Sequence, residues 1–138
     1  MNGWSESPTH IAAITLFVED LSNAKQFYRD VFGLPVDYED ANSAVFRFGD
    51  TLINLLVTSA AVELISPAAI ATPSAGARLQ FTLEVDNVDA TCEELERLGV
   101  TLLNGPQDRA WGIRTASFTD PGGHIWEIAH SVDKRRTT

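Results

Sequence analysis

The sequence predicts an α+β fold of two tandem β-α-β-β-β modules, and three observations carry that reading. The segment Ile14-Thr-Leu-Phe-Val-Glu-Asp-Leu21 recurs as Phe81-Thr-Leu-Glu-Val-Asp-Asn-Val88. Each copy runs into an apolar stripe of helical spacing that stops at a glycine, Gly33 in the first and Gly99 in the second. After each glycine come short runs of alternating or β-branched residues parted by turn residues, the pattern of strands. A repeated unit that cannot bury its faces alone must pack on its copy. The two modules are therefore expected to join in a curved mixed sheet, with helices outside and a concave ligand cavity within.

The first module spans 10–58. Ile14, Leu16 and Val18 alternate with Ala13, Thr15 and Phe17, which gives a strand with two different faces. Asp20 or Ser22 can cap the helix that follows, in which Ala24, Phe27, Tyr28 and Val31 recur at helical spacing. Gly33 supplies the left-handed stop and Pro35 forbids continuation. Three extended runs follow, Val36 to Glu39, Ala44 to Phe48 and Thr51 to Thr58, with Gly49-Asp50 as a tight turn. Residues 59–78 are rich in Ala, Pro, Ser and Gly and read as a linker, with a helical turn near Ala61 to Ile65.

The second module spans 79–131. Leu79 to Val85 is its first strand, and Asn87 or Asp89 caps a helix with Val88, Cys92 and Leu95 as its stripe. Extended runs follow near Thr101 to Leu103, Gly112 to Thr119 and His124 to His130, with Asp120-Pro-Gly-Gly123 as the last turn. Residues 132–138 read as a flexible tail, and the basic Lys134-Arg135-Arg136 as part of it.

Composition excludes several function classes. At 138 residues and 15.1 kDa the chain is one compact domain, burying roughly two-thirds of its unfolded surface on folding. The net charge of −9 repels phosphate backbones, so nucleic acid is not an expected partner. No apolar run approaches the roughly 18 residues of a membrane span. The start of the chain lacks a basic segment ahead of an apolar one. Cys92 is the one cysteine and falls on a helix stripe, so it reads as packing in a reducing compartment. A cytoplasmic location follows as the expectation.

Four stretches in order and spacing resemble the vicinal oxygen chelate superfamily, which holds glyoxalase I, extradiol dioxygenases, fosfomycin-resistance enzymes and bleomycin-resistance proteins. They are Val18-Glu-Asp-Leu21, Phe27-Tyr28 with Gly33-Leu34, Val85-Asp-Asn-Val88, and Trp111-Gly112 through Asp120-Pro-Gly-Gly-His-Ile-Trp-Glu127. The resemblance covers Ile11 to His130 and implies paired modules around a U-shaped sheet, a homodimer, and a ligand held inside the U. It also implies a divalent metal in the enzymes, held by the first and last strand of each module. Carried onto this chain, those positions fall at about Ala13, Asn54, Gln80 and Glu127. Glu127 is a strong ligand, Gln80 offers an amide oxygen, Asn54 is weak and Ala13 offers nothing. No cofactor is therefore expected, and if a metal binds, Gln80 and Glu127 would hold it.

The three histidines do not repair that set. His124 and His130 share a strand face with Trp126 and Ile128, opposite Glu127, and His10 begins the first strand out of phase with Ala13. Glu127 then needs a cation, for which Arg109, Arg114 or a ligand would serve. Phe17 shares the inward phase, Trp111 resembles the family's pocket mouth, and Phe46, Asn54, Gln80 and Arg114 complete the expected ligand-binding set. Two functions stay open. One is a metal-free protein, resembling the bleomycin-resistance members, that holds a small cationic or aromatic molecule. The alternative is a lyase, isomerase or dioxygenase-like enzyme using Glu127 as catalytic base with Gln80, by altered metal chemistry or by acid-base chemistry alone.

Overall fold

A computed structural model of the chain describes residues 5–132. Trp4 and the basic tail cluster lie outside them. The order is β1 (Ala13–Val18), α1 (Leu21–Val31), β2 (Tyr38–Glu39), β3 (Ser43–Phe48), β4 (Thr51–Val57), α2 (Thr58–Ile65), β5 (Gln80–Glu84), α3 (Val88–Arg97), β6 (Leu102–Asp108), β7 (Ile113–Thr119) and β8 (Ile125–Ser131), with a short 3₁₀ turn at Pro73–Ala75. This is the α+β architecture of two β-α-β-β-β modules. Each module forms its own four-stranded mixed sheet, in the order β1-β4-β3-β2 and β5-β8-β7-β6. In both, the first strand pairs parallel with the last, and the rest of the sheet is antiparallel. The repeat in sequence is thus a repeat in topology.

Local chemistry sets the helix bounds. Asp20 caps α1 by accepting from the Asn23 N–H at 3.0 Å, and Asn87 caps α3 from the Ala90 N–H at 3.1 Å. Gly99 follows α3 with φ of 87°, and the Val100 and Gly99 amides fold back onto Leu95 and Glu96 carbonyls. The segment expected to be mostly linker carries a longer helix than one turn. Thr58 to Ile65 contains Ala60, Ala61, Glu63 and Leu64, good helix formers that need no stripe of large residues to propagate. No helix of the described residues is long and apolar enough to cross a membrane.

One core joins the modules. Tyr28 on α1 is fully buried, with ring centroids 5.4 Å from Phe46 in the first sheet and 6.0 Å from Trp126 in the second. Phe48 stacks on Trp126 at 5.1 Å. Leu16, Ile53 and Leu55 join Phe118, Ile128 and Cys92 in the same cluster. Each large side chain so buried contributes about 1.5–3 kcal/mol. Alternation therefore assigns the opposite face of the first sheet to Thr15, Phe17, Leu52 and Asn54, and that of the second to Gln80, Thr82 and Glu127. The shared core lies between the two sets.

Candidate functional site

Register explains the polar residues on those outer faces. In the first module Thr15 stands beside Asn54, and in the second Thr82 stands beside Glu127. The two modules thus place a threonine and a polar partner at equivalent points of their parallel strand pairs. The Thr82 hydroxyl donates to Glu127 Oε1 at 2.9 Å. Ser117 flanks Glu127 from β7. Among the described residues no cation contacts the Glu127 carboxylate, which is partly exposed. Asn54 Oδ1 is buried and meets no donor among the described residues.

The residues expected to line one cavity do not gather in one place. Phe17 and Thr15 line a hollow of about 360 Å³ between β1, the 69–79 segment and the turn before β8. Gln80, exposed at the start of β5, and Glu127 lie on the outer face of the second sheet, outside that hollow, as does Asn54 on the first. Two expectations are corrected. Phe46 is fully buried, because Ala44, Phe46 and Phe48 are the more apolar phase of β3 and turn to α1. Arg114 lies on the core-side phase of β7, where Asp89 of α3 and Asp108 of β6 hold it at 2.9 Å each, so it does not neutralise Glu127. Those bonds push its guanidinium still higher and hold Asp89 below the usual carboxylate range. Arg109 is likewise turned to Thr115 and Asn104. Trp111 is 59% exposed, between β6 and β7.

The donor set does not fit a divalent metal of the family kind. Ala13 has no ligating atom and stands opposite Leu52, and Gln80 stands opposite Ile125 rather than beside Glu127. Among the described residues no three of His, Cys, Asp and Glu gather so as to hold an ion.

A polar cluster that sequence reasoning did not assemble sits at the module boundary. Asp120 is 4% exposed. It accepts from the Tyr28 hydroxyl at 2.7 Å, the Gly122 and His124 amides at 3.0 and 2.9 Å, and His124 Nδ1 at 3.0 Å. Burial pushes its pKa up, but the hydrogen bonds and charge of His124, with the Tyr28 bond, outweigh that and leave it below the ordinary value. Burial, then Asp120, drives the Tyr28 hydroxyl well above its ordinary range. The turn Asp120-Pro-Gly-Gly-His124 was the available signal, since an aspartate ahead of two glycines commonly ties amides of its own turn. His130 differs from a bland strand-end residue too, because its Nδ1 accepts the Val88 N–H at 2.8 Å and so serves the start of α3. His10 stays exposed, beside Thr9.

Twinned modules of this topology, with polar strand pairs at matching points, define the paired β-α-β-β-β class. The chain belongs to the glyoxalase/bleomycin resistance protein/dioxygenase superfamily, whose family model matches residues 10–128. It is 32% identical over 119 residues to the uncharacterized protein YraH of Bacillus subtilis, covering 83% of this chain and 93% of that one. A glyoxalase/bleomycin resistance protein/dioxygenase from Nocardioides superposes with a TM-score of 0.84 at 22% identity, covering 97% and 91% of the two chains. A lactoylglutathione lyase from Agrobacterium tumefaciens superposes with a TM-score of 0.70 at 25% identity, covering 89% and 94%.

Proposed function

We propose that the protein holds a small cationic molecule, without a family-type metal, on the outer face of the second sheet around Glu127. The observation that carries this reading is the Glu127 carboxylate itself. It is held in place by Thr82, it is partly buried, and no cationic side chain of the described residues neutralises it. A carboxylate so placed gains most from a ligand that brings the missing charge. The net charge of −9 adds long-range attraction for a cation. We further propose a homodimer, in which a second copy covers the outer faces. Half-buried Leu52 and Leu56 on the first sheet, with Ile11 more than half exposed, supply apolar surface for it.

Thermal shift with cationic aromatic compounds, bleomycin among them, tests the reading. A ligand at about 100 times its Kd stabilises the fold by roughly 2.7 kcal/mol. Glu127→Gln keeps an acceptor for Thr82 and removes the charge, so the shift should largely vanish while the unliganded melting point stays close to wild type. Near-stoichiometric Ni, Zn, Fe or Mn in protein purified without chelator, lost in Glu127→Ala, would instead establish the metal-dependent alternative.

A further inference from the structure

We propose that the hollow between β1, the 69–79 segment and the turn before β8 is a second ligand site. It would take a compact apolar molecule bearing one hydrogen-bond donor, of the phenol class, whose hydroxyl is received by His124 Nε2. The walls are apolar, with Phe17, Ile70, Pro73, Leu79 and Ile125 contributing, and His124 is the histidine among the lining residues. A volume of about 360 Å³ lies at the small end of ligand pockets.

The direction of the hydrogen bond follows from Asp120. An ionised carboxylate only accepts, and both Asp120 oxygens lie near His124 Nδ1, at 3.0 and 3.1 Å. Nδ1 therefore carries the proton, and in the neutral ring Nε2 is left as an acceptor. Among the described residues no protein donor meets Nε2, while the side chain stays 20% exposed. The ring is fixed through Asp120 and fitted against Gly122. Tyr28 and the two turn amides lock the Asp120 carboxylate, and a Cβ on Gly122 would stand 2.7 Å from His124 Cε1, so the missing side chain at 122 makes room for the imidazole. A tautomer held by a buried, fully bonded carboxylate needs no reorganisation to accept a proton donor. Glu19 and Arg78 also border the hollow and place opposite charges there. A neutral ligand suits that balance better than an ion.

Glu127 does not line this hollow, and the probes are neutral, so the outcome is independent of whether Glu127 takes a cation. The experiment uses 4-methylphenol and its methyl ether, 4-methylanisole, on the full chain at about pH 8. Long-range ¹H–¹⁵N spectra should show His124 protonated at Nδ1. 4-Methylphenol should shift His124 Nε2 and the Phe17 and Ile125 amides, and bind about tenfold tighter than the ether, which corresponds to about 1.4 kcal/mol. His124→Phe should abolish that preference, and His124→Gln, which retains an amide acceptor, should restore part of it. An Nε2–H tautomer, equal affinity for the two probes in wild type, or the preference persisting in His124→Phe would each overturn the proposal. So would the absence of any shift at the hollow with millimolar 4-methylphenol.

Discussion

The Tyr28 hydroxyl crosses from the first module to Asp120 in the second, and both groups are shut away from water. Tyr28→Phe keeps the ring among Phe46, Phe48 and Trp126 and removes only that donor. A loss of about 1–3 kcal/mol is expected, since a buried carboxylate loses one of its donors, and urea unfolding at neutral pH measures it. A change below about 0.5 kcal/mol would show that the turn amides and His124 suffice. The same carboxylate predicts an acid limb. Its folded pKa lies below the ordinary 3.8, so its contribution is present above that value and is lost as pH falls through the folded one. Asp120→Asn should flatten stability against pH below about 4 relative to wild type, in melts taken from pH 5 downward. At this scale the sequence was readable where alternation decides, as for Thr15, Phe17 and Glu127. It misled at Phe46, whose phase could be chosen only by weighing Ala44-Phe46-Phe48 against Val45 and Arg47 as a whole. Arg114 was beyond reach, because Asp89 becomes its neighbour only when α3 lies against β7.

The starts of α1 and α3 are served by side chains, and α3 has two. Asn87 accepts from Ala90 and His130 from Val88, so two of the four free amides of the first turn are satisfied, one by a local and one by a tertiary contact. Asn87→Ala should cost about 1 kcal/mol, and His130→Phe a comparable amount through the orphaned Val88 N–H. Hydrogen exchange at Val88 and Ala90 separates them: each variant should first lose protection at its own amide. Loss of both amides together in either variant would mean the cap acts as one unit. The Asn87 cap was legible from the motif, while the His130 bond joins residues brought together only by the fold. The sequence places an extended run near Thr101 to Leu103, and the strand there, β6, is longer. It runs on to Asp108 because register shifts between Leu102 and Gln107 carry the proline past the ladder.

The whole molecule presents two polar strand pairs on faces separated by a common core, and that separation could not be read from the repeat. Duplication tells that two modules exist and which positions are equivalent; whether their sheets meet at an edge or through a core depends on Tyr28, Phe48 and Trp126 finding one another. The proposed dimer follows from the apolar half of that surface, and charge makes it testable. Two copies each carrying −9 repel at long range, so salt should favour association rather than oppose it. Raising NaCl from about 0.05 to 0.5 M shortens the screening length from over 10 Å to below 5 Å, and the dimer dissociation constant from sedimentation equilibrium should fall. Leu56→Lys, on the outer face of β4 opposite the core residues Ile53 and Leu55, should shift the population to monomer at every salt concentration with little change in circular dichroism. A monomer that persists at high salt and high protein concentration would sink the dimer and leave the Glu127 face open to solvent, where a bound cation would gain far less from the carboxylate.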